Sequence, residues 1–248
     1  MIKFFRRIRQ QLLSENKFTK YLIYAAGEIV LVVIGILIAL QINKNREAQL
    51  AREKEQVYLK EIHLDFLSNK EQLDSIRYIN REARKAGERL VYHIDQIKQQ
   101  YKPRNYSSYP FLDSMATYQG KLFANKSYNP KNGTVNALIN SSSFDLIQND
   151  SLRRMLVTWN DVLGDYLEEE YFQRKFLFDE YYPWLRAHYN FADEFSQENM
   201  EIWFGPQETN FRIDRIEDLK WLDRVVEQEQ IVQTIDGIIR LTETEDND

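Results

Sequence analysis

From residue 21 to residue 42 the chain reads YLIYAAGEIVLVVIGILIALQI, an apolar run of 22 residues interrupted by one ionisable group, Glu28. As a helix rising about 1.5 Å per residue it reaches roughly 33 Å, against a hydrocarbon core of about 30 Å. A charge near a helix centre costs on the order of 2 to 3 kcal/mol on insertion scales. The ten Ile, Leu and Val residues between Ile29 and Leu40 each return about 0.3 to 0.6 kcal/mol on the same scale, so insertion wins. The pattern predicts a membrane span. A buried core helix is the competing reading, but such helices seldom carry an apolar run of this length behind a basic leader.

After the run the pattern changes period. Residues 44–56 (KNREAQLAREKEQ) are polar on nearly every face and read as a helical stalk. A heptad then begins: Leu59, Ile62, Phe66, Asn69, Leu73, Ile76, Asn80, Ala83, Gly87, Leu90, Ile94 and Ile97, spaced alternately by three and four. That spacing predicts one long helix. Its seam weakens at Asn69, Asn80 and Gly87, so it reads either as a bundle helix or as a coiled coil in which the asparagines set an oligomer's register.

Residues 101–110 break the helix through Pro103, Asn105 and the Ser pair, and a shorter piece is expected over residues 111–123. The turn-rich NKSYNPKNG follows, with Asn132-Gly133 marking a tight reversal and Asn132 or Thr134 placed to cap the next helix. Asn149-Asp150 caps a long helix with Leu152, Leu156, Trp159, Leu163, Leu167, Phe172 and Phe176 inward, running to about Tyr182, where Pro183 stops or kinks it. Residues 189–215 look irregular. A last helix is expected over residues 218–241, with Leu222, Val225, Val226, Val232, Ile235 and Ile239 facing in and the tail TETEDND fraying. Strand-type alternation is scarce, and only eight Gly and five Pro occur. The predicted fold class is all-α: a single N-terminal transmembrane helix, then an antiparallel helical bundle with a long stalk helix.

Charge orients this plan. Residues 1–20 hold Lys3, Arg6, Arg7, Arg9, Lys17 and Lys20 against Glu15, a charge of +5, whereas residues 43–248 carry −9 of the chain's net −5. The basic side stays in the cytoplasm and the acidic side is exported. No small-residue cleavage site follows the run, so it reads as an uncleaved signal anchor. Three parts result: a basic amphipathic leader (1–20), a span (21–42) and a periplasmic helical domain (43–248). In the leader Phe4, Phe5, Ile8 and Leu12 oppose Lys3, Arg6, Arg7 and Gln10, as suits a helix lying on an anionic bilayer. Ser14, Asn16 or Thr19 can end that helix, while Phe18, Tyr21 and Tyr24 sit at the level of an aromatic belt. The leader lacks a stacking platform, so nucleic acid is not an expected partner. A content of 43% hydrophobic and 13% aromatic residues supplies one sizeable core, and the absence of cysteine excludes disulfides and thiolate chemistry.

Candidate chemistry is thin. His63, His93 and His188 lie far apart and form no HExxH or ExxH pair, and phosphate-loop, dinucleotide and nucleophile-elbow motifs are missing. Glu168, Glu169 and Glu170 are consecutive, so on a helix they point in different directions. No catalytic, cofactor-binding or metal residue is expected, and no cofactor. Two features stand above this background. One is the aromatic group of residues 171–211, most of it core, with Tyr182, Trp184, Phe191, Trp203 and Phe204 as candidate partner-binding side chains. The other is the span face of Glu28, Gly35 and Ala39, where Gly35-x-x-x-Ala39 is a small-xxx-small pattern that lets two backbones approach.

The opening MIKFFRRIRQQLLSENKFTKYLIYAAGEIVLVVIGILIALQIN, and further on VNALINSSSFDLIQNDSLRRMLVTW, resemble the two recognisable blocks of a family of uncharacterised single-span inner-membrane proteins of Gram-negative bacteria, a domain of unknown function. In that family a Trp often follows the Ile-Asn pair at the end of the span; here Lys44 and Asn45 stand there. The resemblance implies a bacterial inner-membrane protein with a helical periplasmic domain and implies no activity. The expected function is therefore that of a non-enzymatic scaffold or sensor, with the lipid bilayer, a second copy of itself or another membrane protein as partners. The alternative is an accessory subunit of a proton-coupled membrane complex using Glu28.

Overall fold

The computed structural model describes residues 18–100, with side chains from residue 22 onward, and residues 112–194 and 196–243. The leader residues Lys3 to Lys17 with their amphipathic face, the side chains of Phe18, Thr19 and Tyr21, the break at residues 101–110, Phe111, Phe195 and the tail from residue 244 lie outside the described residues. Every regular element among the described residues is helical, and none is a strand. The chain divides into two compact units, Met1–Gln56 and Val57–Asp248. Helix α1 (Phe18–Gln100) contributes to both.

In the first unit α1 carries the apolar run. Its most apolar 18 residues have a mean hydropathy of 2.6, and none of them is buried. From residue 22 to residue 50 only Ala25 and Glu28 are half-buried; every other side chain is exposed. The helix is long and apolar enough to cross a membrane by length and composition, a test that an N-terminal signal sequence also meets. Beyond the run, polar pairs four residues apart support the helix: Gln41 Nε2 donates to Asn45 Oδ1 at 3.1 Å, Asn43 Nδ2 to Glu47 Oε1 at 2.7 Å and Gln49 Nε2 to Glu53 Oε1 at 3.1 Å.

In the second unit the heptad is the organising seam. Of its twelve positions all but Leu59 and Asn80 are buried. It serves three core clusters in succession. Ile62, Phe66, Leu73 and Ile76 meet Trp159, Leu222, Ile235 and Ile238 in the largest; Ala83 meets Leu122, Leu177, Phe211 and Ile216; and Leu90, Ile94 and Ile97 meet Met115, Met200, Trp203 and Phe204. After α1 the described α-helices are α2 (Leu112–Leu122), α3 (Gly133–Ile139), α4 (Asp150–Lys175), α5 (Tyr182–His188), α6 (Gln197–Trp203), α7 (Pro206–Gln228) and α8 (Ile231–Thr242). The weak heptad positions have local reasons. Asn69, 1% exposed, donates from Nδ2 to the Lys131 carbonyl at 2.8 Å and accepts at Oδ1 from the Lys131 N–H at 2.7 Å, so its amide clasps the loop before α3. Gly87 lies where an added Cβ would come within 2.6 Å of Leu122 Cδ1 and 2.8 Å of Ile216 Cγ1.

Several sequence expectations are corrected. Asn132-Gly133 forms no reversal: Asn132 occupies the N-cap position of α3 without a side-chain capping hydrogen bond, Gly133 is its first helical residue, and no described glycine has positive φ. Asn149 does cap α4, accepting from the N–H groups of Ser151 and Leu152. Pro183 does not stop that helix. A π-helical turn at Phe176–Tyr181 precedes it and α5 continues with the proline in its first turn. Proline has no N–H for the carbonyl four residues back and its ring crowds that carbonyl, a conflict that a widened turn absorbs. The stretch at residues 189–215 holds α6 and the start of α7, which opens at Gly205-Pro206 because proline is pre-organised for a first helical position. The single last helix is two, parted at Gln230, which adopts φ 55°.

The buried face of α4 also differs from the apolar reading. It runs Leu152, Leu156, Trp159, Leu163, Tyr166, Glu170, Gln173 and on to Leu177, whereas Phe172 is exposed. The alternation of four and three is unbroken; polar residues simply occupy two of its positions. Both are used. Glu170 accepts the Tyr128 N–H with its two oxygens at 2.9 and 3.1 Å, and Gln173 Nε2 donates to the Asp218 carbonyl at 2.7 Å.

Candidate functional site

The second unit contains a cleft of about 220 Å³ between α2, the turn after α5, α6 and the first turns of α7. Leu112, Leu185 and Met200 give it an apolar wall; Tyr181, Tyr189, Phe191 and Trp203 an aromatic one; Gln119, Glu194 and Glu208 its polar groups. Each element has a local reason to be there. Ser196 caps α6 by accepting the Asn199 N–H, and Asn199 in turn holds the preceding turn, donating to the carbonyls of Asn190 and Asp193 at 2.7 Å. Tyr189 Oη donates to the Glu194 carbonyl at 3.1 Å. Gly205 and Pro206 then start α7, which brings Glu208 to its first turn and Arg212 one turn later.

Behind the wall these residues close a buried network. Glu208 Oε1 accepts from Gln119 Nε2 and from Tyr181 Oη at 3.2 Å, and lies 3.4 Å from Arg212 Nη2. Gln119 Nε2 also donates to Tyr181 Oη at 2.8 Å, while Gln119 Oε1 accepts from Arg212 Nε at 2.8 Å. Arg212 Nη1 donates to the Trp203 carbonyl at 2.7 Å, and the guanidinium lies 4.7 Å from the centre of the Trp203 ring. Glu208 is 1% exposed and Arg212 is fully buried, and within this network Glu208 Oε2 has no hydrogen-bond partner. Burial raises the Glu208 carboxyl above its ordinary value, against the opposing pull of Arg212, Gln119 and Tyr181. Burial likewise lowers the Arg212 guanidinium, with Glu208 opposing. A buried pair of this kind is a costly arrangement whose hydrogen bonds are the compensation.

The sequence-predicted aromatics separate. Phe191, exposed, and Trp203, buried, stand on the cleft wall. Tyr182 instead donates to the Phe123 carbonyl at 3.3 Å, Trp184 packs on Phe211 with ring centres 5.1 Å apart, and Phe204 is core beside Leu90 and Ile94. Sequence reasoning missed Gln119, Glu208 and Arg212. A signal existed for two of them, an acid and a base four residues apart just after a Gly-Pro helix start. Glu28, Gly35 and Ala39 stand seven and eleven residues apart on one face of α1, and nothing lies within 4 Å of where a Gly35 Cβ would be.

The histidines have structural surroundings. His63 Nδ1 lies 3.1 Å from the Ile239 carbonyl and from Thr242 Oγ1, His188 Nδ1 lies 2.8 Å from the Trp184 carbonyl, and His93 stacks on Tyr118. Among the described residues no group of three or more His, Cys, Asp or Glu is placed to hold a metal ion. Residues 28–182 match the model of a family described as a family of unknown function, DUF6090. No curated protein and no solved structure matches the chain. The family match includes Gln119 and Tyr181 and ends before Trp203, Glu208 and Arg212.

Proposed function

This chain belongs to the family of unknown function DUF6090, and from that premise we propose that it is a membrane-anchored, non-enzymatic scaffold or sensor. In this reading α1 spans a bacterial inner membrane once, the N-terminus is cytoplasmic, and the helices after residue 57 form an antiparallel bundle in the periplasm that binds itself or another envelope component. The observation that carries the reading is the uncovered apolar run: 18 residues of mean hydropathy 2.6 with none buried. In water such a surface is unfavourable by about 25 cal/mol per Å², and a bilayer removes that cost. Its orientation is supported by the +5 leader ahead of an acidic remainder. Binding is supported by the cleft, whose wall is mostly apolar and aromatic with a few polar groups.

The chain has no cysteine, so a single introduced thiol reports topology cleanly. In intact spheroplasts Ser75→Cys should react with a membrane-impermeant maleimide, and Ser14→Cys should react only after permeabilisation. An epitope fused before Met1 should stay with the mature chain. Labelling of Ser14→Cys from outside would reverse the orientation, and loss of the epitope would make the run a cleaved signal.

A further inference from the structure

A second groove in the same unit, between α1, α4 and α7, holds an excess of cationic hydrogen-bond donors. Arg77, Asn80, Arg81 and Arg84 reach it from α1, and their spacing of three, four and seven residues puts them on one helical face. Tyr166 lines it from α4 and Asp223 from α7. Among the described residues that line it, Asp223 is the only carboxylate. Its Oδ1 lies 3.3 Å from Arg81 Nε and 3.9 Å from Arg77 Nη2. Glu170, one turn beyond Tyr166, is occupied by the Tyr128 N–H. Arg84, half-buried, forms no ion pair or hydrogen bond with a described residue, and neither does the Asn80 amide. Each guanidinium carries five N–H donors, so one carboxylate leaves most of them without a protein acceptor and two of the three positive charges uncompensated. This excess sits in a part of the chain, residues 43–248, that carries −9. The donors are reachable: the Arg81 side chain is 45% exposed, and its Nη1 and Nη2 remain free once Nε has bonded Asp223.

We propose that this groove binds a doubly charged phosphoryl group, free phosphate or a phosphate monoester, with Arg81 and Arg84 donating to its oxygens and the Asn80 amide beside them. The planar guanidinium fork matches the oxygens of phosphate and carboxylate alike, and the charge count separates the two. A phosphate monoester carries about −1.5 to −2 at pH 7, which meets the two positive charges left over, whereas a carboxylate or a phosphodiester meets only one. The enclosed part of the groove, about 10 Å³, has room for one water-sized atom, so a single phosphoryl oxygen enters and the rest of the ligand stays at the mouth. Asp223 already orients Arg81, which lowers the ordering cost of binding. The groove is separate from the aromatic cleft, and the proposal does not depend on the anchored-scaffold reading.

The test uses the full chain in phosphatidylglycerol nanodiscs, titrated calorimetrically with methyl phosphate, its singly charged diester dimethyl phosphate, and acetate. Methyl phosphate should bind saturably at one per chain and at least tenfold more tightly than either monoanion. Arg84 has no partner to lose, so Arg84→Ala should weaken binding at least tenfold while leaving the unfolding temperature of the ligand-free protein unchanged. Arg84→Lys, which keeps the charge without the fork, should fall between the two. Repeating the titration in discs that contain phosphatidic acid at matched surface charge separates two sources of the same chemistry. A severalfold loss of apparent affinity for methyl phosphate assigns a lipid phosphomonoester headgroup, and equal affinity assigns a soluble phosphate. Absence of saturable binding, equal affinity for dimethyl phosphate or acetate, or no effect of Arg84→Ala overturns the proposal. If methyl phosphate fails to bind while Ser75→Cys is still labelled from outside, the ligand assignment falls and the anchored-scaffold reading stands.

Discussion

Asp218 lies on α7 near Arg215, Asp214 and Glu180, and burial, aided by the two acids and opposed by Arg215, pushes its carboxyl up to about 6 from the ordinary 3.8. A carboxyl that holds its proton more tightly when folded contributes its full stability below the unfolded value and loses it as pH rises through the folded one. The stabilisation is therefore complete below about pH 4 and gone above about pH 6. Glu170 and Glu208, both raised by burial, act in the same sense. Asp218→Asn should flatten this dependence and raise stability at pH 7 by on the order of 1 to 2 kcal/mol, measured as denaturant midpoints at pH 4 and pH 7; an unchanged pH slope would count against it. Gly87 gives the opposite kind of prediction. An alanine methyl there meets Leu122, fully buried, and Ile216, nearly so, at 2.6 and 2.8 Å. Gly87→Ala should cost about 1 to 3 kcal/mol by overpacking, more than its gain in helix propensity of about 1 kcal/mol; thermal unfolding decides the sign.

At the scale of elements, two devices set where helices end. The π turn at Phe176–Tyr181 lets the helical path pass Pro183, so that Leu177 and Tyr181 reach the core of Leu122 and Phe211. Between α7 and α8 the chain turns at Gln230 with φ 55° and ψ 20°, a left-handed conformation just beyond a helix C-cap. This is the position that glycine favours, because a Cβ there is strained. Gln230→Gly should stabilise the second unit by about 0.5 to 1 kcal/mol, read as a higher unfolding temperature with an unchanged circular dichroism spectrum. A decrease would mean that the Gln230 side chain supplies contacts worth more than the strain.

For the molecule as a whole, the first unit poses the sharpest question, because none of the most apolar 18 residues of its helix is buried among the described residues. If two copies associate through the small residues of the span, Gly35→Leu with Ala39→Leu should lower self-association in a membrane dimerisation assay at least severalfold, since close backbone approach is lost. Glu28→Gln tests the proton-coupled alternative at the same time. Glutamine keeps shape and hydrogen bonding but carries no transferable proton, so a variant that behaves as the native protein in cells removes that alternative, and a loss of function at normal expression favours it.

The helical period, the apolar run, the heptad and the Asn149 cap are properties of neighbouring residues, and for that reason the amino-acid sequence by itself determined them. Ten of the twelve heptad positions are buried as their spacing requires. What only the tertiary structure decided is which polar side chains go inside. On α4 the period pointed to Glu170 and Gln173, yet hydrophobicity favoured Leu167 and Phe172, because nothing local shows that a loop N–H from Tyr128 and a carbonyl from Asp218 wait for those polar groups. The cleft is the same case on a larger scale. Arg212 and Gln119 lie 93 positions apart and Glu208 and Tyr181 27 apart, so their partnership, and the carboxyl oxygen it leaves over, come into being only when α2, α6 and α7 pack. Burial of a charge is stable only with a partner, and that partner is chosen by the fold rather than by the neighbouring sequence.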